Sequence, residues 1–426
     1  MIETLTKMIK NKNIRNRILF TLMMLFVYRL GSNIPAPNVN QARLTGVGNT
    51  ILQMMNLLGG GQLERFSIFA LGVGPYITAS IITQLLAMDV IPYFADLQKE
   101  GEAGRKKMDR MTRYLALVLG FIQSISMLIA MNSAYGFMMD TSAGAFFYTS
   151  LVMVAGTMFL LWVGDQITSK GIGNGLSIII MAGIVSGLPN QFMTAFTSLL
   201  GGGFNIPGLL GFIGFVLVYL VIIVLVIYMN QAERRIPIQY TSSSVVQRKS
   251  AKNYLPLKIN SASVIPVIFS QAILTAPLTL MSFFNQGPFY QTLNKILNIG
   301  SFPGLLIYAL LIILFTFFYT HLTVDPDKIS KDLAKNGTYI TSIRPGEATR
   351  KYISTVLNRI TVPGAIFLLV LALLPYIVPM IFKNMPAGLS LGGTGMIIVV
   401  GVALETMSDL TSKLTERKYE GFRKSR

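Results

Sequence analysis

The chain has 426 residues, of which 52% are apolar and only 13% charged, and its mean hydropathy is +0.57; a soluble globular chain carries about 25% charged residues, so a soluble enzyme and a disordered chain are both poor readings. Cysteine is absent and His321 is the one histidine, which excludes a disulfide framework, cysteine-ligated zinc, a thiol nucleophile and a histidine cluster for metal or acid–base work. The net charge of +18 suggests nucleic acid when taken alone, so its placement decides what it means.

In chain order, Lys7, Lys10, Lys12, Arg15 and Arg17 precede a first apolar stretch at 19–33. No small-residue cleavage pattern follows, so this is a span and not a cleavable signal. Residues 51–61 come next, with Gln53 and Asn56 inside them and three glycines at their end, followed by Arg65. A segment of this length cannot cross a membrane. It is either an interfacial amphipathic turn or a segment filling a funnel, because non-helical backbone at membrane depth is tolerated only inside protein or along a cavity. Further apolar stretches lie at 66–88, 114–131, 146–164 and 175–189, the last of them short. A connection at 188–207, rich in Gly and Ser, leads to stretches at 207–229, 262–283, 302–322, 361–382 and 392–411. A hydrocarbon core needs about 20 apolar residues per helix, so the pattern predicts an all-α polytopic membrane protein of ten spans.

The basic residues fix the orientation. If the spans alternate, 31 Lys and Arg fall on one side, against Arg43, Arg65, Lys295 and Lys383 on the other. Arg29 lies near the outer end of the first span, where it can snorkel. This asymmetry is the positive-inside rule. It predicts that both termini are cytoplasmic and that the charge reports topology, with no specific DNA binding. Two halves of five spans each would be inverted relative to one another, with a pathway between them. The expected parts are an N-terminal half at 1–190, a C-terminal half at 207–412 and a basic tail at 413–426.

Coupled transporters carry ionisable groups at membrane depth, and these span interiors hold almost none. Glu405 and Asp409 sit toward the cytoplasmic end of the last span, an interfacial placement beside the basic tail. No paired Asp, Ser–His or metal set can be assembled, so no catalytic residue, metal or cofactor is expected. The runs Gly171–Gly175 and Gly392–Gly395 lack the strand context of a phosphate loop and are expected to be helix-start turns.

Two cytoplasmic segments, 230–260 and 323–360, exceed a simple connection. In the second, Asp325–Pro326 has the form of an N-cap and first helical residue, Gly337 that of a C-terminal cap, and a helical run starts at Glu347. Ile343–Gly346 is therefore an exposed tip between ordered arms, suited to docking a large partner.

Several runs resemble the SecY family of Sec translocon channel subunits. They are Ser67–Gly72 with Pro75-Tyr76-Ile77, Lys99–Glu102 with Gly104-Arg105-Lys106, Asp165–Thr168 with Gly171–Gly175, Leu255–Lys258, Ile343–Glu347 and Gly392-Gly393-Thr394. The likeness runs in order from about residue 14 to 412. Gly74 stands where a larger residue is common, and Ile236–Tyr240 differs from the usual strand-like run, which puts the first hairpin in doubt. The resemblance implies a protein-conducting channel with an hourglass pore. It implies a plug at about 51–65, with Ile51, Gln53, Asn56, Leu57 and Leu58 in it. An apolar ring would form from Val73, Ile77, Ile180, Ile268 and Ile398, and a lateral gate would lie along Thr78, Gln84, Gln271 and Ala276. Such a ring gates by dewetting. The hairpins, through Arg344, Pro345 and Gly346 on one and Arg234 and Arg235 on the other, would dock the SecA motor ATPase or the ribosome. The resemblance further implies SecE and SecG subunits, signal-sequence-bearing preproteins as clients, membrane lipid around the bundle, a bacterial cytoplasmic membrane location and no enzymatic activity of the chain itself.

Overall fold

Proline and side-chain caps set where most of the helices begin. The structure, a computed structural model, describes residues 10–40, 66–87, 91–200, 206–240, 254–281, 288–381 and 393–423. Helix α1 (Lys12–Gly31) is capped by Asn11, whose side chain accepts from the Asn13 N–H at 3.2 Å. Helix α2 (Gly74–Leu86) starts with Pro75 in its first turn, where the missing N–H has no cost.

Residues 66–73, expected to be the first part of the second span, are instead a series of turns with positive φ at Phe66 and Gly72. Pro75 accounts for this, since it cannot sit in a helix interior without breaking a hydrogen bond. The turn backbone is satisfied from within the protein. Ala36 N–H donates to the Phe66 carbonyl at 2.9 Å, and Ile68 N–H donates to Ile34 at 3.0 Å. Phe66, Ser67, Phe69 and Ala70 are buried. The turns lie directly on the fourth span: a Cβ on Gly156 would collide with the carbonyl oxygen of Ile68.

The chain continues through α3 (Pro92–Lys99), the long α4 (Glu102–Tyr135), α5 (Ala143–Lys170) and α6 (Gly175–Leu200). Ser142 caps α5 by accepting from Ala145 N–H at 3.3 Å. Helix α6 runs eleven residues past the expected end at 189, through Pro189. Phe192, Ala195, Phe196 and Leu199 explain the extension. They recur at helical spacing, Phe192 and Leu199 packing on the core and Ala195 buried within it. What was expected to be an outer connection is therefore largely helix.

The second part comprises α7 (Ile206–Gln231), β1 (Glu233–Tyr240), β2 (Tyr254–Lys258), α8 (Ile265–Met281), α9 (Pro288–Leu297), α10 (Phe302–Thr323), α11 (Pro326–Lys335), β3 (Thr338–Ile340), α12 (Glu347–Ile381) and α13 (Gly393–Arg423). The candidate spans are helical, as expected, and outside them three short strands form one sheet in the order β2-β1-β3. Both neighbours of β1 are antiparallel to it, with Ile236 opposite Leu255 and Ile238 opposite Ile340. Ile236–Tyr240 is thus a strand after all. Ile236 and Ile238 alternate inward at period two, and Pro237 between them faces solvent.

Seven of the described helices, α4 to α7, α10, α12 and α13, are long and apolar enough to cross a membrane. Three of the ten expected spans fall outside that set. Helix α1 carries Lys12, Arg15, Arg17 and Arg29, while α2 has 13 residues and α8 has 17. The largest apolar cluster holds buried residues from α1, the 66–73 turns, α5, α6, α7, α8, α10, α12 and α13.

Candidate pore, gate and docking surface

The five residues expected in an apolar ring come from four helices and one turn. Val73 ends the turn series, and Ile77 follows one helical turn later on α2. Ile180 is on α6, Ile268 on α8 and Ile398 on α13. Val73 and Ile398 are buried, and the other three are half-buried against the same apolar cluster. That cluster also holds ordinary packing residues such as Leu160 and Ile312. Shared membership brings the five into one apolar mass without by itself defining a ring.

Helices α2 and α8 meet along an apolar seam. Ile81 of α2 is buried with Phe269 of α8 and Phe315 of α10, and Ile77, Leu85, Ile265 and Ile273 pack around them. The Phe269 ring lies 5.6 Å from both Phe315 and Tyr319. The seam carries a polar contact from a third helix. Tyr319 of α10 donates its hydroxyl to Gln84 Oε1 at 3.1 Å, and Gln84 Nε2 donates to Ser80 at 3.1 Å. Gln271 is buried on α8. Thr78 donates back to the Gly74 carbonyl at 3.2 Å. Ala276 belongs to α8, but its side chain lies outside the described residues, as do all of 41–65, including Ile51, Gln53, Asn56, Leu57 and Leu58. Sequence reasoning missed Tyr319. Its only signal was a phenol with a polar tip in an otherwise Phe-rich stretch.

The segments 230–260 and 323–360 are joined through their described residues into one body, a link that local patterns do not disclose. Ile236, Leu257, Ile340 and Ile353 make a small core between them. Asp325 caps α11 as expected, accepting from Asp327 N–H at 2.9 Å, and Gly337 follows its end with φ of 60°. Arg344, Pro345 and Gly346 are exposed, but their backbone is held. Ser330 donates to the Gly346 carbonyl at 2.8 Å and Thr349 to the Arg344 carbonyl at 2.9 Å, both from buried positions. Arg350 pairs with Asp327 at 3.0 Å and with Glu347 at 3.2 Å. On β1, Arg235 is engaged within the chain. It is 2.7 Å from Glu233 and lies over the Tyr254 ring, and the Glu233 hydrogen bond holds its pKa above the ordinary arginine value. Arg234 is exposed.

Two polar clusters were not foreseen. In the first, Arg113 of α4 holds Asp165 of α5 with both guanidinium nitrogens, at 2.6 and 3.1 Å, and also contacts Asp109 at 2.8 Å. Tyr76 of α2 donates to the other Asp109 oxygen at 3.1 Å. In the second, the Gly171–Asn174 turn is gripped from several helices. Arg17 donates to the Gly171 carbonyl, Thr21 accepts from Ile172 N–H at 3.2 Å, and Asp409 accepts from Gly173 N–H at 3.2 Å. Asp409 also meets Lys413 at 2.7 Å, which fits its expected place beside the basic tail. Asn174 caps α6, so this glycine run is a helix-start turn. Among the described residues no group of His, Asp and Glu is placed to hold a metal ion.

Comparison with known proteins gives this arrangement a context. The SecY family model matches residues 67–407. The Protein translocase subunit SecY of Staphylococcus carnosus is 44% identical over 428 residues, covering 99% of each chain. Among solved structures, the fold is similar to one described as a protein conducting channel, with a TM-score of 0.64, 18% identity, and 95% of this chain and 93% of that chain covered. It is also similar to Sec61 in the canine ribosome-channel complex from the endoplasmic reticulum, with a TM-score of 0.58, 18% identity and the same two coverages. At this identity the structural likeness is one of fold.

Proposed function

The chain belongs to the SecY family, and from that premise we propose that it conducts unfolded secretory polypeptides across the bacterial cytoplasmic membrane and releases membrane-protein segments sideways into lipid. One observation carries the reading: the likeness to a translocase subunit, 44% identical, spans 99% of both chains. In this reading ten spans form two inverted halves, 1–190 and 207–412, with the tail 413–426 and both termini cytoplasmic. Helices α1, α2 and α8 complete the ten: the charges of α1 lie toward its two ends, at the membrane interfaces, and α2 and α8 are short.

The seal is an apolar ring of Val73, Ile77, Ile180, Ile268 and Ile398, plugged from outside by about 51–65. An apolar ring fits spans almost free of charge, because a fixed charge would hold water and pass ions. The seam of Ile81 against Phe269 and Phe315 is the lateral gate, with Thr78, Gln84, Gln271 and Ala276 along it. The braced tip at Arg344–Gly346, with Arg234 and Arg235 nearby, docks the SecA motor or a ribosome, and SecE and SecG complete the complex. Energy enters from those partners, since the chain itself offers a pathway and no chemistry.

The test is reconstitution. The chain co-purified with SecE and SecG, placed in proteoliposomes with SecA and ATP, is expected to bring a signal-bearing preprotein into a protease-protected state. Failure to protect any such client, with the complex intact, would overturn the proposal.

A further inference from the structure

The cluster of Asp109, Arg113 and Asp165 has no part in the reading above, yet it reaches the second span at the turn that carries the seal. Tyr76 lies between Val73 and Ile77 in sequence, on the first turn of α2. Successive helical residues are about 100° apart, so fixing the Tyr76 ring fixes the direction in which Ile77 points. Its hydroxyl donates to Asp109 Oδ1 at 3.1 Å. Asp109 is itself held through its other oxygen by Arg113, with Nε at 3.0 Å, and Arg113 is locked to Asp165 by two parallel hydrogen bonds. A paired guanidinium and carboxylate is the most directional of ion pairs. The chain of contacts thus runs from α5 through α4 to a single oxygen on α2.

Helix α2 needs such a tether. It has 13 residues, no side-chain cap and a turn series before it, so its own backbone defines its rotation weakly. A rotation of about 20° would sweep a side chain by roughly 2 Å at the helix surface, enough to open a dry constriction to water. We propose that Tyr76 is a positioning residue for the seal: through its hydroxyl, the Asp109–Arg113–Asp165 cluster sets the rotation of α2 and so holds Ile77 and Val73 in the closed ring. The proposal rests on the ring reading given above. It also makes α2 move with α4 and α5 as one body when the gate parts.

The experiment measures resting ion conductance of the reconstituted complex in planar bilayers of KCl. Tyr76→Phe removes one oxygen and keeps the ring, and it is expected to raise conductance several-fold. Arg113→Lys keeps the charge but loses the fork, and should leak similarly. Asp109→Asn can keep both contacts, its oxygen accepting from Arg113 and its amide N–H donating to the Tyr76 hydroxyl oxygen, and should stay tight, whereas Asp109→Leu should leak. Ile77→Ser is the control for the ring itself. If Ile77→Ser leaks and Tyr76→Phe does not, the tether is wrong and the ring stands. If Ile77→Ser stays tight, the ring reading fails and the tether fails with it. Equal leak from Asp109→Asn and Asp109→Leu would also overturn the tether, because the charge and not the hydroxyl contact would then be what holds α2.

Discussion

Tyr319 brings a hydroxyl to a seam whose buried centre is aromatic and aliphatic. Its bond to Gln84 links α10 to α2 at 3.1 Å. A hydrogen bond of this kind contributes about 0.5–1.5 kcal/mol net, enough to bias a gate without locking it. Tyr319→Phe keeps the ring packing on Phe269 and loses only this bond. The closed seam should then open about 2- to 10-fold more readily, using the same range. A client whose signal sequence has been shortened by a few apolar residues should be exported better by the variant than by the wild type. Unchanged discrimination between strong and shortened signals would rule this role out. The residue identities on the seam were partly readable: Gln84 stood out as a polar residue in an apolar span. Its partner did not, because a phenol among phenylalanines gives no period or spacing to read.

At the scale of elements, the caps and breaks were legible and the long-range pairings were not. Asp325, Pro326 and Gly337 marked both ends of α11, since caps act within a few residues of themselves. Pro75 stopped the second span short of its apolar pattern, because hydropathy records burial and says nothing of backbone geometry. The pairing of β1 with β3 joins segments about a hundred residues apart, which local pattern cannot see. The Gly171–Asn174 turn shows what such distant contacts demand. Gly173 has φ of 59°, and a Cβ there would stand 3.0 Å from Thr406 Oγ1 on α13. A non-glycine residue in this left-handed conformation costs about 1–2 kcal/mol, and the crowding adds to it. Gly173→Ala should therefore lower the thermal unfolding temperature of the detergent-purified complex, while Gly187→Ala, with open space around its Cβ, should not. Equal melting of the two variants would show that the turn is looser than its hydrogen bonds imply.

The braced hairpin tip belongs to the same scale. Ser330 and Thr349 hold the carbonyls on either side of Pro345, so Arg344 is presented on fixed backbone with its planar fork free to meet carboxylate or phosphate. Reversing that charge with Arg344→Glu is expected to abolish motor-driven export while leaving insertion of the chain and its SecE association intact. Normal export in cells depleted of the wild-type channel would remove Arg344 from the docking surface.

For the molecule as a whole, charge asymmetry and hydropathy gave the membrane architecture its outline, because both are sums over many residues and survive local errors. The same sums could not register that α2 and α8 are too short to stand alone in lipid. Those two helices form the seam on which a lateral gate depends. A signal sequence has an apolar region of about 7–15 residues, and each Leu, Ile, Phe or Val in it gains about 0.3–0.6 kcal/mol in lipid. To collect that gain it must leave the pore sideways, which requires α2 and α8 to part along Ile81 and Phe269. The chain has no cysteine, so a pair introduced across the seam reports without background. Thr78→Cys with Ala276→Cys is the pair of choice, since neither removes a member of the buried Ile81, Phe269 and Phe315 cluster. A disulfide needs Cα atoms about 4.4–6.8 Å apart, so bond formation in the resting complex would itself measure the closed seam. Under oxidation both export and membrane insertion should stop, and reduction should restore them. Each single-cysteine variant should be indifferent to oxidant. If the pair cross-links fully and clients still cross at the wild-type rate, polypeptides pass without this seam opening, and the gate must lie between other helices.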